Sequence, residues 1–282
     1  MKKITTTLLM ILLFSTTYNA QNSFENLWLK VKKYEVDNLP KSALKIVEKI
    51  YTEAEKENNT AQLVKTLFYK SKFYLTLEED AQLKIVNSFK KHISKSTFPT
   101  KNVLENILAN LYWQYFNQNR YKFYNRTKTD TSLNSEYNAD FRTWDLDTLF
   151  EEIHTYFNAS LKNSKQLQKV NIHDFSDILS LHTDSKKYRP TLYDFLANNA
   201  LNFYQSSESS ITRPSYKFIL DNPSFLSNYK TFSKLDITTK DNLSLQFNAL
   251  KIYQKLIKFH LKENNLDALV DIDIHRMNFV NQ

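Results

Sequence analysis

The chain has 282 residues, 41% of them hydrophobic, which suffices for one large domain or a row of smaller helical units. Its net charge of +8 is scattered among acidic residues, and the lack of any glycine excludes the Rossmann fingerprint, the glycine-rich phosphate loops and the Gly-x-Ser-x-Gly nucleophile elbow. The lack of cysteine excludes thiolate nucleophiles, disulfides and thiolate metal sites.

The first segment, residues 1–20, predicts an export signal. Lys2 and Lys3 supply its positive start, residues 8–14 are apolar, and cleavage is expected after Ala20. The apolar run is far shorter than the roughly 20 residues that a spanning helix needs, so we expect no transmembrane segment once the signal is removed. The sequence therefore predicts an exported protein, either periplasmic or associated with the cell envelope.

Helical periodicity begins directly after the signal. Phe24–Val36 has apolar residues at helical spacing and ends before Pro40, which disfavours a helical conformation in the preceding residue. A second helix is predicted over Lys41–Glu57 and a third from Thr60, as its cap, to Leu75. Since Asn-Gly hairpins are impossible without glycine, these elements favour an all-α fold.

A regular alternation of helices and short turns continues. Thr76 and Glu79 have the spacing of a capping box, which predicts a fourth helix. Residues 30–50 resemble residues 255–275, since both have a lysine-rich helix, an Asn-Leu turn and an Ala-Leu pair. This pattern predicts stacked helical hairpins, as in a tetratricopeptide-like repeat or solenoid, with one irregular or short extended segment near 206–235.

The rest of the chain is also predicted to be helical. The expected helices are 102–118, 143–161, one that opens with a capping box of Thr191 and Asp194 after Pro190, and 243–261. These elements predict a signal at 1–20, a helical-hairpin domain at 21–205, a linker or irregular segment at 206–235, and a further hairpin at 236–282. We expect the natural chain to continue beyond that hairpin.

The stretch "LYWQYFNQNRYKFYNRT" holds seven aromatic residues interleaved with cationic and amide side chains. On a helix, an apolar stripe covers one face, and it consists of Leu104, Ile107, Leu108, Leu111 and Tyr115. Trp113, Arg120 and Tyr124 fall on the opposite face. A helix that is apolar on two sides is typical of an inner helix between neighbours, whereas RNA-reading rings stand on an exposed sheet. No nucleic acid is expected.

The same stretch leaves a peptide-binding groove open as an alternative. Its candidate partner-binding residues are Trp113, Arg120, Tyr121, Tyr124 and Arg126.

At this stretch the sequence becomes similar to a known family. The phrases "LPKSALKIVEKIY", "LYWQYFNQNRYKFYNRT", "FRTWDL" and "YRPTLYDFLANNAL" resemble the N-terminal helical region of α2-macroglobulin-like proteins of the Bacteroidetes type. In that family the region precedes macroglobulin β-sandwich domains, a bait region and often a Cys-Gln thioester. None of these is present here, so the resemblance implies no trapping residue. It implies a cell-envelope location and a scaffolding or partner-binding role, with the C-terminal macroglobulin domains as one such partner.

Two groups of acidic residues and histidines could in principle hold a metal. They are His173, Asp174, Asp177, His182 and Asp184 in one group, and Asp271 and His275 in the other. Their spacing matches no metal motif, and solvated polar side chains explain them better. We therefore predict no catalytic, cofactor or metal site.

The sequence thus predicts a non-catalytic exported helical scaffold or protein-interaction module. The first alternative is a free-standing periplasmic repeat adaptor that binds a peptide or protein partner. A remote alternative is a hydrolase on an α-helical scaffold, against which the missing glycines and the lack of a defined nucleophile argue.

Overall fold

A computed structural model describes residues 24–124, 140–182, 184–210 and 216–282, with the side chains of 209 and 210 excepted. The all-α prediction is confirmed: these residues contain helices and turns, and their only β-type pairing is a bridge between Asn171 and Thr191. None of the helices described combines the length and apolar character that a membrane crossing requires. The predicted signal and Arg126 lie outside the described residues.

Twelve α-helices occur in the described part of the chain. They are α1 (24–36), α2 (Pro40–Lys56), α3 (Thr60–Leu77), α4 (Ala81–Lys95), α5 (Thr100–Tyr124), α6 (Leu146–Ser160), α7 (Ser164–Leu167), α8 (Ser185–Tyr188), α9 (Leu192–Tyr204), α10 (Tyr229–Phe232), α11 (Leu245–Glu263) and α12 (Leu266–Val280). Consecutive helices pair as hairpins in α2 with α3, α5 with α6, and α11 with α12. The type of repeat stays a prediction.

The chain separates into two compact units, of which the first ends at Asn87. Within this unit α1, α2 and α3 share one core. Its buried members are Phe24, Leu27, Trp28, Val31, Ala43, Val47, Ile50, Ala54 and Phe73. The Trp28 Nε1–H donates to Gln62 Oε1 at 2.7 Å, so the buried polar atom of the indole is satisfied.

The second unit begins at Ser88 and has α5 as its inner helix. One side of α5 packs on α6 and another on α9, α9 packs on α11, and α11 packs on α12. Leu108, Tyr112 and Phe116 are fully buried, which confirms the prediction of an inner helix. The buried face of α5 is centred on Tyr112. The predicted stripe, which begins at Leu104, lies to one side of this centre, and its members Leu111 and Tyr115 are only half-buried.

Asparagine performs the role of glycine in the turns. Among the described residues, a positive φ occurs only at Asn38, Asn58, Asn163 and Asn264. Three of these end a helix with the Schellman bond, in which the next N–H donates to a carbonyl five residues back. These bonds run from Leu39 to Tyr34, from Asn59 to Ala54 and from Asn265 to His260. Asparagine is the residue besides glycine that tolerates this left-handed conformation.

Local capping differs from the prediction at two places. Asn59 caps α3 by accepting from the Gln62 N–H at 3.1 Å, so Thr60 is the first helical residue instead. Thr76 lies inside α3, where its Oγ1 donates to the Lys72 carbonyl, and the predicted capping box with Glu79 does not form. A threonine hydroxyl near a helix end can donate to a carbonyl of its own helix. Thr76 makes this bond in place of the predicted capping box.

Residues 216–244 pass through short turns and α10, and buried polar groups hold them in place. Gln254 on α11 donates through Nε2 to the carbonyls of Phe232 and Leu235, at 2.9 and 2.8 Å. Arg276 on α12 is fully buried, and its guanidinium lies 4.5 Å from the Phe232 ring. Two helices thus bind a segment that has little regular structure of its own.

Candidate functional site

Trp113 lies inside a cluster of rings. Its ring centroid is 5.2 Å from that of Phe203, 5.3 Å from Phe116 and 6.1 Å from Phe150. These residues belong to α5, α6 and α9, and the tryptophan is half-buried among them. Edge-to-face and stacked ring pairs at these distances stabilise the packing of the three helices.

Arg120 and Tyr124 both contact one buried carboxylate. Arg120 pairs with Glu208 Oε1 at 2.7 Å, and the Tyr124 hydroxyl donates to Glu208 Oε2 at 2.7 Å. Burial and the bond to Glu208 raise the pKa of Tyr124. The side chain of Glu208 is only 4% exposed. Arg120 and Tyr124 are therefore the partners of a buried carboxylate that would otherwise be unpaired. Sequence reasoning missed Glu208, because a serine-rich stretch indicates a linker.

Tyr121 faces solvent with 85% of its surface exposed. It is the one candidate among the four described that packs on neither the rings nor Glu208. A single exposed aromatic is ordinary on a protein surface, so Tyr121 does not define a site.

The first group of histidines and acidic residues, for which no metal was predicted, is spread over a turn and a loop. His173 lies in a 3₁₀ turn, Ile172–Phe175, which Asn171 caps by accepting from the His173 N–H at 3.0 Å. In the part of the chain that the structure describes, no three histidine or acidic side chains come together as metal ligands would. In the second group, His275 Nε2 lies 3.8 Å from Asp271 Oδ1 along one turn of α12.

Asp194 and His260 form a buried polar pair between α9 and α11. Asp194 belongs to the predicted capping box, which is confirmed, and its Oδ2 accepts from the backbone N–H and hydroxyl of Thr191 at 3.0 and 2.8 Å. Its Oδ1 lies 2.8 Å from His260 Nε2. An aspartate that orients a histidine also occurs in hydrolases. Here, however, the imidazole is only 2% exposed, so a substrate cannot reach it.

An apolar stripe on α12 faces solvent. Its members lie within about 80° of one another around the helix and are Leu266, Val270, Ile274 and Met277, exposed by 64%, 56%, 53% and 37%. The opposite face, with Ala268, Leu269, Ile272, Arg276 and Phe279, is buried. A helix that is apolar on its core face and again on its solvent face is suited to a further neighbour. We call the four exposed residues the α12 stripe.

Carboxylates edge the α12 stripe on both sides. Asp267 and Asp271 lie along one edge and Asp273 along the other. Each has a cationic or basic neighbour: Lys187 at 3.5 Å from Asp267, His275 at 3.8 Å from Asp271 and Arg276 at 2.6 Å from Asp273. The first two contacts are long, and each is at least partly open to solvent, so both carboxylates can exchange them for a partner's cation at little cost.

The sequence does not distinguish this surface from the core face of α12. The residues "HRMNFV" near the end of the chain continue an apolar pattern without a helix-stop signal. The pattern does not show which apolar residues face the core, because apolar residues lie on both sides of α12.

A comparison of this chain with known protein families, with curated proteins and with solved structures finds no match.

Proposed function

We propose that this chain is an exported, non-catalytic helical module that binds a partner protein through the α12 stripe. The observation that carries the proposal is the exposure of four apolar side chains in one line on a well-packed helix. Contiguous apolar surface of this kind marks interaction sites in soluble proteins. The resemblance to the N-terminal region of α2-macroglobulin-like proteins supports export and a scaffolding role.

The occupant that suits this stripe is one amphipathic helix. The spacing i, i+4, i+8 and i+11 along α12 is that of the side-chain rows through which two helices pack against each other. From Leu266 to Met277 the stripe is about 17 Å long and about 10 Å wide, which is far below the roughly 800 Å² per partner that a stable dimer buries. Since carboxylates edge the stripe, we infer a partner helix with leucine-type anchors and Lys or Arg at its edges.

Two synthetic helical peptides test this proposal, one of leucine and lysine and one in which each lysine is replaced by glutamate. Fluorescence anisotropy would measure their affinities for the full chain. We expect the lysine peptide to bind, and the glutamate peptide to bind about tenfold more weakly or worse, as expected for like charges at an interface. Equal affinities, or no binding of either peptide, would overturn the proposal.

Variants locate the binding surface. Val270→Asp with Ile274→Asp should abolish binding while unfolding as the wild type does, because both residues are exposed. Lys258→Asp, at an exposed position of α11, is the matched control and should bind normally. Photocrosslinking from position 270 in exporting cells would then map the natural contact. A crosslink to a second copy of this chain, or to a β-sandwich domain, would contradict a separate partner protein that binds through an amphipathic helix.

A further inference from the structure

The second unit contains a cavity of about 370 Å³, beside the α12 stripe. Its apolar lining includes Ile172, Leu179 and Phe195, and its polar lining includes Arg189 and Asp271. This volume lies within the range of small-ligand sites, which combine apolar walls with a few convergent polar groups. Nothing in the proposed binding of a helix uses its interior.

Arg189 is the cationic group of this cavity, and of the two carboxylates in the lining Asp184 is exposed and Asp271 is half-buried. Its guanidinium makes no hydrogen bond or ion pair with any residue in the described ranges, although its backbone N–H donates to the Ser185 carbonyl at 2.9 Å. The residue is half-buried. A half-buried guanidinium without an anion is matched by a carboxylate, which it can bind in a bidentate manner.

Asp271 supplies the opposite charge to the same cavity. The basic side chain beside it is His275, whose Nε2 lies 3.8 Å from Asp271 Oδ1 and is therefore too far for a hydrogen bond. The carboxylate can accept from an ammonium group of a ligand. Arg189 and Asp271 line one cavity without pairing with each other, so a ligand with both charges would satisfy both.

We infer that this cavity binds a small zwitterion with an apolar body, such as an apolar amino acid or a dipeptide with free ends. Its carboxylate pairs with Arg189, its ammonium group pairs with Asp271, and its side chains lie against Ile172, Leu179 and Phe195. This site lies beside the helix-binding stripe and shares Asp271 with its edge, while its interior is not part of the stripe. It would give the exported module a soluble ligand as well as a protein partner.

Calorimetry with the full chain and the dipeptide Leu-Leu tests the inference. We expect Leu-Leu to bind, and its C-terminal amide and its N-acetyl derivative to bind at least about tenfold more weakly, since each leaves one charged group of the protein unpaired. This comparison needs no variant, so a folding defect cannot obscure it. No binding of Leu-Leu, or equal binding of the blocked peptides, would overturn the inference.

Two variants then assign the charges. Arg189→Gln should bind the acid and the amide equally, and Asp271→Asn should bind the free and the acetylated amine equally. Lys186→Gln, at an exposed cation three residues before Arg189, is the control and should retain the preference for free ends. The double substitution at Val270 and Ile274 should leave dipeptide binding unchanged, so the two proposals fail independently. A preference for free ends that persists in Arg189→Gln would contradict the assignment.

Discussion

Asp194 and His260 hold α9 and α11 together through a contact of 2.8 Å between side chains that are almost completely buried. Asp194→Ala should lower the free energy of unfolding by roughly 2–4 kcal/mol, because it leaves a buried imidazole without a partner and removes a helix cap. Thr191→Ala removes the cap alone and should cost about 1 kcal/mol. Urea unfolding would measure both. An equal decrease in the free energy of unfolding in the two variants would show that the contact between Asp194 and His260 contributes nothing to stability.

The left-handed asparagines lead to a second prediction. Asn264→Ala should cost about 1 kcal/mol, because alanine is strained at positive φ, whereas Asn264→Gly should stay within about 0.5 kcal/mol of the wild type. Asn278→Ala, at an exposed position in the last turn of α12, is the control and should not destabilise the chain. Thermal and urea unfolding would measure the series. A tolerated alanine at position 264 would mean that this turn is not under conformational constraint.

A third prediction concerns the charge beneath α5. Glu208→Gln removes the negative charge that both Arg120 and Tyr124 contact. We expect the pKa of Tyr124 to fall toward its ordinary value, while the part of the increase that is due to burial remains. An NMR titration of the tyrosine ring carbons would measure the shift. Glu151→Gln, at an exposed position on α6, should leave the pKa of Tyr124 unchanged, and an unchanged value in Glu208→Gln would refute the contact.

His154 should make stability depend on pH. Burial lowers the pKa of its imidazole from the ordinary value of 6.5, and its Nδ1 lies 3.0 Å from the Tyr204 hydroxyl. Because the folded pKa is the lower one, the unfolded state binds the proton first as the pH falls. The free energy of unfolding should therefore decrease as the pH falls from 6.5 through the folded pKa.

Urea unfolding at several pH values would measure this dependence. His154→Gln should show a smaller decrease between about pH 7 and about pH 5 than the wild type. The same substitution at the exposed His182 is the matched control. If His154→Gln keeps the full slope, another group is responsible for it.

Much of the fold follows from the apolar periodicity of the sequence. The first helix was predicted over Phe24–Val36 and ends at that residue, and the capping box of Thr191 and Asp194 forms as predicted. Prediction was weaker where one side chain could serve two purposes. Thr76 could cap the next helix or bond back into its own, and only the competing packing decides between them.

The surfaces proposed here depend on contacts that are distant in sequence. Glu208 contacts Arg120 and Tyr124, which are 84 or more residues away in the sequence. No local sequence pattern predicts such a contact. The α12 stripe could not be predicted from the sequence either, because both the solvent-facing side and the core-facing side of α12 carry large apolar residues. Apolar periodicity indicates that a helix has two faces, but tertiary packing decides which one is covered.

Asparagine at the helix ends has a further consequence for the unfolded chain. Glycine samples more backbone conformations than any other residue, so a glycine at each turn would give the denatured ensemble more freedom to lose when the turn closes. A chain built without glycine starts from a narrower ensemble. Asn38, Asn58 and Asn264 have a small steric strain at positive φ in the native turn. The hairpins, however, lose less conformational entropy on closing than they would with glycine at these positions.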